Sequence, residues 1–274
     1  MTFLERMAAA SRERVRSARA RESEAAVERR AHERPAAPPL VLDRFDVIAE
    51  LKLRSPAAGG LADGDFDRGA QLTSYARGGA AAVSVLTEPT EFRGTLEHLV
   101  DAATLLAAEH RPAMRKDFLT DPYQVLEARA AGSGGVLVIL AMLDDATVRA
   151  LVDCARRCGL FVLLEAFDRA DLERLAPYDR PDLDGPPVLA GVNCRDLRDL
   201  NVRFERFAEL APHLPRHLPT VAESGIGSVA DIEAVAANGY RLALIGSSLM
   251  RAAEPAKALA DWLAAGRAAV ARRH

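Results

Sequence analysis

Eight short apolar runs, rich in β-branched residues, alternate with eight amphipathic stretches between Phe45 and Arg267, and the runs tend to end in polar or charged residues. Their centres fall roughly 23 to 35 residues apart, the length that strand, loop, helix and loop together require. These observations predict an α/β chain closed into a (β/α)8 TIM barrel with an N-terminal helical extension. An open doubly wound sheet is the competing arrangement, but no Gly-rich dinucleotide fingerprint follows an early run. The whole chain, 1–274, reads as a single (β/α)8 barrel domain, of which 1–40 is the extension.

The extension comes first. Its Ala-, Arg- and Glu-rich composition favours a helix, and Phe3, Leu4, Met7, Val15 and Val27 form only a thin apolar stripe, so the helix is expected on the surface of a larger body. Pro35 to Pro39 ends it. The strands are expected at Val47–Leu51, Ala81–Leu86, Pro112–Arg115, Gly135–Leu140, Leu160–Leu164, Val188–Val192, Thr220–Ala222 and Arg241–Ile245. Helices are expected at Gln71–Arg77, Thr95–Glu109, Pro122–Ala130, Ala146–Cys158, Arg169–Leu175, Phe204–Leu210, Ser228–Asn238 and Pro255–Arg267.

Composition narrows the function classes. The 274 residues are 49% hydrophobic and 27% charged, ordinary for a globular protein with a sizeable core. A net charge of −3 and a pI near 6.1 give no overall attraction to nucleic acid or to an anionic membrane. No apolar run approaches a membrane span, and the first thirty residues are too charged for a secretory signal, so a cytoplasmic location is expected. Cys154 and Cys158 stand four apart on a helical pattern without accompanying His or acidic ligands, so they are read as core packing. Neither metal nor cofactor is expected.

The stretch Val47-Ile48-Ala49-Glu50-Leu51-Lys52 carries the strongest functional signal. Side chains alternate along a strand, so Glu50 and Lys52 project the same way from an otherwise apolar element. Such charges are costly unless they pair with each other or with a ligand. The pattern recurs at Lys116, Glu165, Asn193 with Arg195, and Glu223, each at the end of a different run. In a barrel of this kind the C-terminal strand ends and the loops after them build the active site. The last two runs lead into Glu223-Ser224-Gly225-Ile226-Gly227 and Ile245-Gly246-Ser247-Ser248, positions where barrels frequently hold a phosphate.

Several motifs together resemble those of indole-3-glycerol-phosphate synthases. They are Ile48–Lys52 with Ser55-Pro56, Ser84–Glu88 with Phe92 and Gly94, Arg115–Phe118, Leu164-Glu165, Gly191–Leu197, Ala222–Ile226 and Leu244–Met250. Each is weak alone, but their order is specific and covers nearly the whole chain. The resemblance implies ring closure of 1-(2-carboxyphenylamino)-1-deoxyribulose 5-phosphate with loss of carbon dioxide and water, in tryptophan or related indole biosynthesis. It implies Lys116 as general acid toward the substrate carbonyl, and Lys52 as partner of the anthranilate carboxylate, joined by Glu50 in later proton transfers. Glu165 would stabilise the cationic intermediate and accept a proton. Asn193, Arg195, Glu223 and Ser224 would position these groups and the sugar, and Ser55, Gly225, Gly246 and Ser247 would hold the phosphate. Phe92, Phe118 and Leu137 would form the apolar wall around the aromatic ring. The expected partner is a phosphorylated small molecule, and the chain is expected to be a monomer or weak homo-oligomer.

The chain departs from the family pattern at Ala57, Cys194, Phe167, Gly134-Gly135 and in a short link before the first strand. No departure removes a proposed catalytic group. Three alternatives stay open: a diverged paralogue acting on a substituted anthranilate, an aldolase forming a Schiff base through Lys52 or Lys116, and a non-catalytic phosphate-binding barrel. Cys194 is read as non-nucleophilic, because no His follows in its motif to activate it.

Overall fold

The computed structural model describes residues 1–55, 59–60, 66–182, 184–195 and 201–273, apart from the side chain of Ser55. Eight parallel strands form the barrel: β1 (Asp46–Leu51), β2 (Ala82–Leu86), β3 (Ala113–Lys116), β4 (Gly135–Ile139), β5 (Phe161–Ala166), β6 (Val188–Asn193), β7 (Thr220–Glu223) and β8 (Leu242–Ile245). Each pairs with its sequence neighbours, and β1 closes the sheet against β8, with Asp46 opposite Leu242 and Ala49 opposite Ile245. The expected runs match these strands to within a residue or two. Most of the gains are at the C-terminal ends, where Lys116, Glu165, Asn193 and Glu223 belong to the strands themselves.

Strand parity divides the core in two. Val47, Ala49 and Leu51 of β1 join Val83, Val85, Val162, Leu164, Ala190 and Val192 in the larger cluster between sheet and helices. Ile48, Ala82, Met114, Leu137, Leu163, Leu189, Val221 and Leu244 have the opposite parity and fill the barrel interior. Glu50, Lys116, Glu165, Asn193 and Glu223 share that inward parity, one step nearer the C-terminal rim, so the apolar plug becomes their floor.

The extension departs from expectation in two ways. It is two helices, α1 (Phe3–Arg21) and α2 (Glu24–Glu33), because Glu22 takes an extended conformation and Ser23 starts a new helix. Arg30 holds Glu22 through two hydrogen bonds of 2.8 and 2.7 Å, which fixes the turn between them. Nor does α1 lie on a plain surface. Phe3 and Met7 are buried with the barrel-interior residues, so the thin stripe reaches across the C-terminal mouth. A capping box between Thr2 and Glu5 starts the helix directly before Phe3.

Two short helices were also absent from the sequence reading, Pro89–Phe92 after β2 and Ser247–Arg251 after β8. Both sit in strand-to-helix loops, where a single turn carries too little periodicity to stand out. The helix after β7 spans Val229–Ala237 and the last helix Pro255–Ala271, while those after β5 and β6 shorten to Arg169–Glu173 and Arg206–Leu210. Cys154 is buried and Cys158 half-buried, both as free thiols.

Candidate active site

A cavity of about 510 Å³ opens at the C-terminal end of the barrel. Glu50, Lys52, Phe92, Lys116, Phe118, Leu137, Glu165, Asn193, Arg195, Ser224, Gly225, Gly246 and Ser247 all line it. Glu223 is buried beneath Lys116 and takes no part in the lining. The side chain of Ser55 and the residues Pro56, Ala57, Asp196 and Leu197 lie outside the described residues.

At the floor, the Lys116 ammonium stands 3.1 Å from Glu223 Oε2 and 3.7 Å from both Glu50 Oε2 and Glu165 Oε2. Lys52 pairs with Glu50 Oε1 at 2.6 Å. Burial opposes the charge on Lys116, but the three carboxylates outweigh it and hold the amine firmly as an ammonium. For Glu50 burial acts upward, yet Lys52 and Lys116 together bring the carboxyl below its usual range.

Glu165 goes the other way. Burial and the neighbouring Glu223 raise it to about 8 against the opposing pull of Lys116 and Asn193. Glu223 Oε1 is buried and finds no hydrogen-bond partner among the described residues. Glu165 keeps its proton beside Glu223, so three acidic side chains and two lysines share the floor with one proton retained.

Two glycines make this packing possible. A Cβ on Gly191 would stand 2.1 Å from Glu223 Oε1, and one on Gly246 would stand 2.3 Å from Glu50 Oε1 and 3.0 Å from Lys52 Nζ. Gly246, expected to serve phosphate approach, is therefore required at least as much by the Glu50–Lys52 pair beside it.

Along one wall, Phe118 meets Phe3 edge-on at 5.9 Å between centroids and Phe92 at 6.2 Å. Leu86, Leu137 and Ile139 continue the apolar surface. Glu88 accepts from the backbone N–H groups of Thr90, Glu91 and Phe92 at 2.7 to 3.2 Å, which places Phe92. Arg14 of α1 joins the two loops that carry this wall, reaching Asp117 at 2.6 Å and Glu88 at 3.7 Å. Asp117 also accepts from Thr87, Arg115 and the Phe118 N–H, and the charges of Arg115 and Arg14 overcome burial to keep it ionised.

The opposite wall is polar backbone. Ser224 and Gly225 both have positive φ, 70° and 71°, and the Cys194 thiol donates to the Ser224 carbonyl at 3.3 Å. Burial pushes that thiol up to about 12, so it remains protonated and inert as a nucleophile. The Gly225 and Ile226 N–H groups donate to no described residue, and the Ser247 hydroxyl has no partner among them, whereas Ser248 is committed to the Ile226 carbonyl at 2.9 Å. The free donors thus gather where the sequence placed a phosphate.

Sequence reasoning missed Phe3, Asp117, Ile139 and Arg251 as lining residues. Asp117 had a readable signal, since it directly follows Lys116. Phe3 had none beyond its apolar character, because its place depends on how α1 crosses the mouth. Among the described residues, no group of three or more His, Cys, Asp or Glu side chains is arranged to hold a metal ion, and no helix is long and apolar enough to cross a membrane.

The family model described as indole-3-glycerol phosphate synthase matches residues 4–262. Relatives bearing that name include one from Rhizorhabdus wittichii, 42% identical over 207 residues, covering 76% of this chain and 74% of the relative. Another, from Parafrankia sp., is 40% identical over 240 residues, covering 88% and 85%. Among solved structures, 3-hexulose-6-phosphate synthase from Salmonella typhimurium superposes with a TM-score of 0.60 at 14% identity, covering 84% of this chain and 100% of that one. Thiamine phosphate pyrophosphorylase from Pyrococcus furiosus gives 0.59 at 13% identity, covering 83% and 98%. At such identities the structural likeness concerns the fold alone.

Proposed function

Because the chain belongs to the indole-3-glycerol phosphate synthase family, we propose that it closes the indole ring of 1-(2-carboxyphenylamino)-1-deoxyribulose 5-phosphate, releasing carbon dioxide and water. The observation that carries the reading is the Lys116 ammonium among three buried carboxylates, set between an aromatic wall and a cluster of free donors. The aryl group fits against Phe3, Phe92, Phe118 and Leu137. The phosphate fits against Gly225, Gly246 and Ser247, with the substrate carbonyl between the two ends, over Lys116. As the aromatic carbon attacks that carbonyl, its oxygen gains electron density and takes a proton from Lys116.

Lys52, released from Glu50, meets the aryl carboxylate until carbon dioxide departs. Glu165 passes the proton it keeps in the empty site to Lys116, 3.7 Å away, once that amine has given its own to the substrate; so ionised, it stabilises the iminium-like nitrogen and takes up a proton as the ring becomes aromatic. Glu50 takes part in these later transfers. Asn193, Arg195 and Ser224 orient the sugar, and Glu223 acts from below by holding Lys116 and sharing the proton of Glu165. The same proposal makes the protein a single-domain cytoplasmic enzyme of tryptophan or related indole biosynthesis, monomeric or weakly self-associating.

A Schiff-base mechanism is disfavoured, because a nucleophilic lysine must lose its proton easily and both lysines are paired with carboxylates. The direct test is to incubate the purified protein with the carboxyphenylamino-deoxyribulose phosphate and follow indole absorbance and fluorescence. Indole formation without a borohydride-trappable adduct is expected. Absence of indole signal with folded protein refutes the reading.

A further inference from the structure

A phosphate monoester brings close to two negative charges into this cavity, and the donors that face it at Gly225, Ile226 and Ser247 are all neutral. The cations along the lining are mostly spoken for. Lys52 is paired with Glu50, Lys116 with three carboxylates, and Arg195 has a partner of its own. Arg251 differs. It ends the short helix Ser247–Arg251, is solvent-exposed, lines the same cavity as Gly225–Gly227 and Gly246–Ser248, and its side chain makes no ion pair or hydrogen bond with a described residue.

The local structure holds the turn that carries Arg251 beside the neutral donors. Ser248 bonds across to the Ile226 carbonyl, locking the loop after β8 to the loop after β7. The Met250 N–H donates to the Gly246 carbonyl at 2.9 Å, so the single turn that carries Arg251 is anchored on the glycine at the cavity edge. An exposed arginine with a long stem is free to swing inward, and its planar fork matches two phosphate oxygens at once.

We propose that Arg251 is the cation that neutralises the substrate's phosphate, closing over it from the rim while the backbone and Ser247 hold it from below. This rests on the phosphorylated-substrate reading above and adds to it a residue that sets affinity rather than rate. Arg251 stands beyond the reacting atoms, so it acts equally on the ground state and the transition state. Its loss then appears in KM, with turnover conserved.

The test compares wild type, Arg251→Met and Arg251→Lys. Binding of inorganic phosphate is measured by calorimetry, which needs no turnover, alongside steady-state kinetics with the carboxyphenylamino-deoxyribulose phosphate. Arg251→Met is expected to weaken phosphate binding and raise KM by the same factor, about 10- to 100-fold as for a lost charge-assisted hydrogen bond, with kcat within about threefold. Arg251→Lys should recover part of both, because it restores charge without the fork. Unchanged phosphate affinity in Arg251→Met, a loss confined to kcat, or no phosphate binding by the wild type would each overturn the proposal. Phosphate binding that depends on Arg251 in a protein that makes no indole would preserve it while refuting the synthase reading.

Discussion

Replacing Glu165 by Gln keeps the shape of the side chain and removes the one carboxyl that the site drives upward. In the folded chain Glu165 keeps its proton to about pH 8, against an ordinary 4.5. Between those values the folded state binds more protons than the unfolded state, so this group's contribution to stability falls as pH rises through the window. A tenfold change in a protonation equilibrium is worth about 1.4 kcal/mol, which puts the cost of the ionised, buried carboxylate on the order of 5 kcal/mol above pH 8. That is an upper figure, because Lys116 and Glu223 readjust around it. Glutamine has no proton to lose. Glu165→Gln should therefore melt close to wild type at pH 5 and about 5 to 10 °C higher at pH 9, a gain of a few kcal/mol in a chain of this size. The same change should lower turnover by about 10²- to 10³-fold, since it removes the negative charge that faces the cationic intermediate. Thermal melts at pH 5, 7 and 9, with indole formation measured on the same samples, give both quantities. A melting difference that stays constant with pH would refute the shared-proton account, and retained turnover would remove Glu165 from the chemistry.

Lys116→Met should cut turnover by at least about 10²-fold and destabilise the protein by about 3 to 5 kcal/mol at neutral pH, less at pH 5 where the stranded carboxylates take up protons. Melting at the two pH values alongside kinetics checks this, and near wild-type turnover would transfer the acid role elsewhere. Gly191→Ala puts a methyl group 2.1 Å from Glu223 Oε1, so Glu223 must shift and Lys116 with it. Turnover should fall at least about tenfold while inorganic phosphate inhibits as before, and an unaltered kcat would show that Glu223 is not needed where it stands. Phe3→Ala removes the edge-on partner of Phe118 and should weaken substrate binding about 5- to 10-fold, as for loss of an aromatic pair, with little effect on phosphate inhibition. Equal affinity in Phe3→Ala would return α1 to a purely structural role.

The strands were legible in the amino-acid order because strand character is local: apolar runs at βα spacing and strict side-chain alternation need no knowledge of distant residues. The same alternation placed Glu50 with Lys52 on one face and marked Lys116, Glu165, Asn193 and Glu223 as inward residues at strand ends. What alternation cannot supply is height and distance around the closed barrel. Register sets Leu86 opposite Lys116, Ile139 opposite Glu165 and Asn193 opposite Glu223. Through barrel closure, such registers bring one ammonium within 3.7 Å of carboxylates from three other strands. Register likewise tucks Glu223 over Gly191 and out of the cavity lining, although its sequence position looks equivalent to that of Glu165. The path of α1 was hidden for a similar reason. Its stripe of Phe3 and Met7 is too thin to name a docking surface, and the burial of Phe3 against Phe118 and the pairing of Arg14 with Asp117 join residues more than a hundred positions apart. Local periodicity therefore determined the strands and the roster of charged residues, while closure of the barrel decided which charges meet, which proton they share, and which wall the N-terminal helix completes.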